Sequence, residues 1–325
     1  MWEKPIVLKG YILGRKSCES RGFTPLEIHK TKGRRELPGP FLTGFTLVEV
    51  LVVISIISLL MGILIPVLNK ARSHARTIVG INNQKQIVTS VSLFAFENNG
   101  CYPQSVSFVE YSSNWNWYDP RTLTSWNTTP MHPHRAMSEY LRGYIEDAST
   151  MFCPKAPRKF KYLQEAWDAG DQWNNPDTTF DVLAVRGAYC FYWNYVGWLD
   201  KNTLFRGPYG PSDGGPGQSK LVMTCYFGYD HRRTPDAYGS CERLKGADLV
   251  PETLIESAWW SRSASGGLDL SKININLHAA YIDGHVESYT PSEAVPMKAI
   301  MDRATKEPYP SGVGPGDFYI PRNGL

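Results

Sequence analysis

The feature that most constrains this chain is a predominantly apolar run of 21 residues, Phe45 to Ile65, "FTLVEVLVVISIISLLMGILI". A helix of that length rises about 1.5 Å per residue and so spans roughly 30 Å, the thickness of a bilayer's hydrocarbon core. A secretory signal peptide has a shorter apolar core, about 7–15 residues, and a small-residue cleavage site after it. The run therefore predicts a membrane-spanning helix. Its one carboxylate, Glu49, is costly in hydrocarbon and so indicates a partner.

The charge of the chain is concentrated ahead of this run. Residues 1–44 contain nine Lys and Arg against four Asp and Glu, and the remainder contains 25 against 27. The positive-inside rule places such a basic flank in the cytoplasm, although a basic tail without a topological role is an alternative. We therefore expect a cytoplasmic leader at 1–44, a helix at 45–98 whose part 45–65 spans the membrane, and an extracytoplasmic globular domain at 99–325. The net charge of +3 gives no indication of a nucleic-acid partner.

The helix is expected to continue beyond the membrane. Pro66 has no N–H for the Gly62 carbonyl, which predicts a weak or bent point between these two residues. The sequence Asn98-Asn99-Gly100 predicts the end of the helix. The apolar residues beyond Pro66 recur at steps of three and four, and we expect them to lie on one face against a core. They are Ala71, Ala75, Ile78 and Ile81, and the pattern resumes at Ile87, Val91 and Phe94 after the polar turn Asn82–Gln86.

From Cys101 onward, short runs of β-branched and aromatic residues alternate with Pro, Gly, Asn and Asp, a pattern typical of strands and long loops. The clearest hairpin is "INLHAAYIDGHVESYT", in which Asp283-Gly284 predicts a type I′ turn. The predicted fold class is α+β, with a long N-terminal helix packed on a small antiparallel sheet that carries large loop insertions.

The cysteines give no metal signature. Five cysteines follow the leader, and none of them is in a C-x-x-C pair, so we do not expect a zinc site. An exported domain could form one or two disulfides from them. The five cysteines are Cys101, Cys153, Cys190, Cys225 and Cys241.

The segment "TGFTLVEVLVVISIISLLMGILIPVLNKAR" resembles the N-terminal signal sequences of type IV prepilins and type II secretion pseudopilins, from Gly44 to about Ala71. The resemblance implies that prepilin peptidase cuts after Gly44 and methylates the new N-terminus at Phe45. It also implies that Glu49 pairs with the N-terminal ammonium of a neighbouring subunit. The segment "YIDGHVESY" resembles part of the C-terminal processing-associated segment of pseudopilin-like proteins. That family has a histidine at the position that is Ile273 here, whereas this chain has its histidine at His278, so the match is partial.

The function that this resemblance implies is that of a pilin-like structural subunit. The precursor would cross the bacterial inner membrane once, with its C-terminal domain outside the cytoplasm. It would then join a pilus or pseudopilus in the periplasm or at the cell surface. Its partners would be prepilin peptidase, other pilin-like subunits and inner-membrane lipid. The alternative is a membrane-anchored surface binding protein, possibly carbohydrate-directed, that uses the signal without polymerising.

Catalytic and cofactor motifs are not expected to determine the function. The chain has no Walker A or H-E-x-x-H signature, so an enzyme is not predicted, and no cofactor is expected. Asp283 is a weak candidate for calcium, since carboxylate and turn carbonyls are its usual ligands, but a plain hairpin turn is the simpler interpretation.

Overall fold

The computed structural model describes residues 44–112, 115–124, 136–156, 163–173, 185–212, 217–230, 237–240, 275–302, 304–308 and 318–325. Gly44 is therefore the one residue of the predicted leader that is described. The chain divides into two units, Met1–Leu60 and Met61–Leu325, and the division falls inside helix α1, Leu47–Glu97.

The described part of the first unit, residues 44–60, is exposed at every position. A continuous surface of Leu, Val and Ile is unfavourable in water, and the predicted membrane span accounts for it.

The second unit contains the other elements. Its helices are α2, Ser138–Leu141, and α3, Leu163–Ala169. Short 3-10 turns lie at Ala148–Met151, Gly170–Gln172, Pro291–Glu293 and Arg322–Gly324. Its strands are β1 Phe108–Ser112, β2 Trp115–Tyr118, β3 Thr122–Thr124, β4 Val185–Arg186, β5 Tyr189–Phe191, β6 Val196–Trp198, β7 Leu204–Arg206, β8 Leu221–Cys225, β9 Phe227–Asp230, β10 Ala237–Ser240, β11 Leu277–Tyr281, β12 Val286–Tyr289, β13 Ala294–Met297, β14 Ile300–Asp302 and β15 Phe318–Pro321.

The strands pair in antiparallel fashion throughout the described residues and confirm the α+β class. Two sheets have four strands, in the orders β12-β11-β8-β5 and β10-β9-β15-β13, and a third has the order β1-β2-β14. Two further pairs, β3-β4 and β6-β7, complete the arrangement.

The second half of α1 packs on sheet β12-β11-β8-β5. The side chain of Gln84 donates to the His278 carbonyl in β11 at 3.3 Å and to Cys225 Sγ in β8 at 3.4 Å. The hydroxyl of Tyr189 in β5 donates to the Gly80 carbonyl at 3.4 Å. The helix is thus attached to three of the four strands, with Ile87 and Val91 fully buried beside these contacts.

The predicted core face of α1 is correct in its second part and wrong in its first. Ile87 and Val91 are buried, whereas Ala71, Ala75 and Ile78 are exposed. A helix turns about 100° per residue, so the nine residues from Ile78 to Ile87 place these two on opposite faces. The core face instead begins at Gly80.

The predicted end of α1 is confirmed. Asn99 and Gly100 both have positive φ, at 55° and 77°. The Gly100 N–H donates to the Ala95 carbonyl at 2.8 Å, the bond that closes a Schellman motif and satisfies a terminal carbonyl.

The predicted hairpin is confirmed as strands β11 and β12, in which Ala279 faces Glu287. The predicted type I′ turn is wrong, because Gly284 has positive φ and Asp283 does not. The Gly284 N–H donates to the Tyr281 carbonyl at 2.9 Å and the Tyr281 N–H to the His285 carbonyl at 3.1 Å. The connection is therefore a type I turn followed by a glycine bulge, which is the usual form of a three-residue hairpin loop.

A buried charge cluster, Asp119, Arg121 and Arg186, holds the loop before β3 to β4. Arg121 donates from Nε to Asp119 Oδ1 at 3.0 Å and from its terminal nitrogen to Oδ2 at 2.8 Å. The Nε atom of Arg186 lies 2.8 Å from Asp119 Oδ2, and the Arg121 guanidinium stacks 4.5 Å from the centre of the Tyr226 ring. This cluster is buried in the core of the second unit.

The cysteines that the structure describes remain thiols. Cys101 is exposed, while Cys153, Cys190 and Cys225 are buried, and none of the four forms a disulfide. The predicted disulfides are therefore not supported at these four positions. Cys241 lies outside the described residues.

Candidate processing and assembly segment

The start of α1 is closed by a reciprocal cap between Thr46 and Glu49. The Thr46 backbone N–H and its hydroxyl each donate to Glu49 Oε2 at 2.8 Å. In return the Glu49 N–H donates to Thr46 Oγ1 at 3.3 Å. Because α1 begins at Leu47, Thr46 is the N-cap and Glu49 the third helical residue, which is the geometry of a capping box.

The sequence analysis missed this cap, although its signal is legible. Thr46-Leu-Val-Glu49 has the spacing of a capping box and directly precedes an apolar run. Glu49 consequently has a partner inside its own chain. Both donors of Thr46 use Oε2, so Oε1 accepts no hydrogen bond from the described residues and is open to a second donor.

Gly44 lies just outside the helix, and nothing in the described structure requires a glycine there. A Cβ atom built on Gly44 would meet no heavy atom within 4 Å, and its φ is not in the left-handed region. Phe45, the next residue, is 79% exposed. The glycine–phenylalanine bond is thus accessible within the described structure.

The apolar run is a regular helix exposed on all sides. In the described part of the chain, α1 is the one helix long and apolar enough to cross a membrane. The Ser55 hydroxyl donates to the Val52 carbonyl at 2.7 Å, so this polar group is satisfied within the helix.

The predicted weak point lies within a continuous helix. Pro66 is an interior residue of α1, and a Cβ atom on Gly62 would meet nothing within 4 Å. The lost hydrogen bond at Pro66 follows from proline's chemistry, and local weakness there remains a prediction.

The C-terminal candidates have ordinary structural surroundings. The Asp283 carboxylate accepts from the His285 N–H at 3.1 Å and contacts the His285 ring, so it is engaged within the turn. Within the residues that the structure describes, no group of three or more His, Cys, Asp and Glu is placed to hold a metal ion. His278 is buried in β11, with Nδ1 3.9 Å from Cys225 Sγ.

A groove of about 570 Å³ lies between the second half of α1 and residues 144–150. Most of its lining residues are polar, among them Asn82, Gln86 and Glu146. One aromatic ring, Tyr144, faces it, and the Tyr144 hydroxyl already donates to Glu97. The aromatic stretch Asn114–Tyr118 lies largely outside the side chains that are described.

Comparison with known proteins identifies the N-terminal segment. Residues 43–65 match the family model of the prokaryotic N-terminal methylation motif. No curated protein and no solved structure matches the chain. The chain thus carries the prepilin-type signature on the same residues that hold the exposed glycine–phenylalanine bond, the capped helix start and the apolar run.

Proposed function

We propose that this chain is the precursor of a pilin-like structural subunit without catalytic activity. The observation that carries the proposal is the methylation motif at residues 43–65, placed at the start of an exposed apolar helix. Prepilin peptidase cuts after Gly44 on the cytoplasmic side and methylates Phe45. The precursor spans the inner membrane once, with the domain that begins near residue 99 outside the cytoplasm.

The mature chain then assembles with other pilin-like subunits through α1, in a type IV pilus or a type II secretion pseudopilus. Two properties of the helix support this step. Its first part exposes apolar side chains on every face, which suits exchange of lipid contacts for contacts with neighbouring helices. Its Glu49 carboxylate keeps Oε1 available for the ammonium of a neighbour's Phe45.

The experiment is co-expression with a prepilin peptidase, comparing wild type with Gly44→Leu. A bulky residue at this position has room in the fold, because the Cβ of Gly44 would meet open space. We expect the variant to insert into the membrane normally but to remain at precursor length and outside sheared filaments. Cleavage of the variant at the wild-type rate would contradict the proposed processing site.

The alternative, a membrane-anchored surface binding protein, gives a different result in the same experiment. Wild-type chain that is cleaved yet stays wholly in the membrane fraction, with no filament or pseudopilus incorporation, would favour it.

A further inference from the structure

The charged residues of helix α1 beyond the apolar run are all basic until Glu97. Between Glu49 and Glu97 it has no acidic residue, but it has Lys70, Arg72, Arg76 and Lys85. We call Lys70, Arg72 and Arg76 the juxtamembrane basic cluster. All three side chains are exposed and form no hydrogen bond or ion pair within the described structure.

If the apolar run spans the hydrocarbon, the cluster begins at the outer edge of the lipid headgroups and extends to about the limit of their electrostatic reach. Lys70 is five residues and Arg76 eleven residues past Ile65, which places their Cα atoms about 8 and 17 Å further along the helix axis. A headgroup layer is roughly 5–8 Å thick, and an ionic interaction extends about another 8 Å at physiological salt. Lys85 lies beyond this range.

The direction of the side chains favours the same contact. Long side chains on a helix point back toward its N-terminus, and here the N-terminus of α1 is the membrane side. Lys and Arg can therefore reach toward the headgroups while their methylene stems lie along the helix.

The cluster lies on two opposite sides of the helix instead of one face. At about 100° per residue, Arg72 and Arg76 lie roughly 200° and 240° around the axis from Lys70. A helix lying on a membrane surface gathers its basic residues on one side. Basic residues on opposite sides suit a helix that crosses the membrane, with headgroups all around it.

Basic residues on the far side of a span run against the positive-inside rule, so topology does not explain them. We propose that the juxtamembrane basic cluster binds the phosphate groups of anionic phospholipids in the leaflet on the domain side of the membrane. This inference rests on the membrane insertion included in the proposed function, and it is independent of cleavage and assembly.

The test uses the full chain reconstituted in bilayers of phosphatidylcholine with phosphatidylglycerol. Spin-labelled lipids report the relative association constant of phosphatidylglycerol over phosphatidylcholine at the protein surface. The test variant is Lys70→Gln/Arg72→Gln/Arg76→Gln. The control, Lys85→Gln/Arg206→Gln/Lys220→Gln, removes the same charge from three exposed positions outside the juxtamembrane basic cluster.

We expect the test variant to lower the preference for phosphatidylglycerol by at least about fivefold, the factor that corresponds to the contribution of about 1 kcal/mol from a single basic residue near a membrane surface. The control should retain the wild-type preference, and added salt should reduce it in wild type. An unchanged preference in the test variant, or an equal loss in the control, would overturn the proposal.

Two other outcomes are equally decisive. If the test variant keeps its lipid preference but no longer sediments with filaments, the partner is an acidic surface of a second copy, and the lipid proposal is wrong. If carbonate releases the wild-type chain from membranes, the proposed insertion fails and this inference fails with it. A chain that stays inserted but uncleaved contradicts only the processing step.

Discussion

Thr46 donates two hydrogen bonds to one oxygen of Glu49, each 2.8 Å long, so the intramembrane carboxylate caps its own helix before any neighbour is present. Capping and assembly can coexist, because a carboxylate has about four acceptor sites and Thr46 occupies only Oε2. Glu49 is therefore held in position by its own chain, which suits the contact with a neighbouring subunit that we propose.

Replacing Glu49 should impair assembly more than insertion. Glu49→Ala removes a charge that costs about 2.5–3.5 kcal/mol at the centre of a span and less near its end, so insertion should be equal or easier. It leaves the neighbour's ammonium without a counter-charge, so incorporation into sheared filaments should fall by about tenfold or more, corresponding to at least about 1.4 kcal/mol.

Two further variants separate the cap from the ion pair. Thr46→Ala removes the capping hydroxyl, at a cost of about 1 kcal/mol to the helix, but keeps the carboxylate, so filament incorporation should stay near wild type. Glu49→Gln keeps the shape without the charge and should resemble Glu49→Ala. Equal loss in Thr46→Ala and Glu49→Ala would show that Glu49 acts mainly as a cap.

The helix should be least protected just before Pro66. The Gly62 carbonyl has no N–H from Pro66, so we expect faster amide hydrogen exchange at residues 61–65 than at 52–58 in detergent. The variant Pro66→Ala should remove the difference. Equal protection of the two segments in wild type would disprove the weak point.

The buried cluster of Asp119, Arg121 and Arg186 should be essential to the domain. Burial raises the pKa of the Asp119 carboxyl, but the charges of Arg121 and Arg186 and the Arg121 hydrogen bonds outweigh it, so the pKa lies below its ordinary value. Asp119→Asn removes the counter-charge of two buried guanidinium groups and should lower the free energy of unfolding by about 3–5 kcal/mol.

The matched control is Glu165→Gln, which neutralises an exposed carboxylate on α3. Denaturant unfolding should show a change of about 0.5 kcal/mol or less for it. Similar effects of the two substitutions would mean that the cluster contributes no more than a surface charge.

His278 should make the domain less stable in acid. Burial lowers the pKa of His278 below its ordinary value, and the charge of Lys155 lowers it further. The unfolded chain then binds the proton more readily than the folded chain. The free energy of unfolding should therefore fall as the pH drops through the pKa of His278 in the unfolded chain, about 6.5. At higher pH this group should not affect the free energy of unfolding.

Unfolding midpoints at about pH 7.5 and pH 5 test this expectation. His278→Gln should reduce the loss between the two pH values, whereas His74→Gln, at an exposed position of α1, should keep it. An identical loss in wild type and His278→Gln would refute the assignment.

Local patterns were sufficient to predict the membrane helix, its end at Asn98–Gly100, the β11–β12 hairpin and the processing motif, because neighbouring residues specify each of them. The charge cluster was beyond prediction, since Asp119 and Arg186 are 67 positions apart in sequence and only the fold brings them together. The contact of Gln84 with β8 and β11 is of the same kind. The error in the predicted core face has a different cause. The helix also turns about 100° per residue through Asn82–Gln86, so the apolar residues before this segment do not share a face with those after it.

The most direct test of the account is mass spectrometry of the chain recovered from membranes of a host that has a prepilin peptidase. We expect a mature chain that begins at Phe45 and carries one methyl group on its N-terminal nitrogen. Recovery of the chain with residues 1–44 still attached, or cut at another bond, would contradict it.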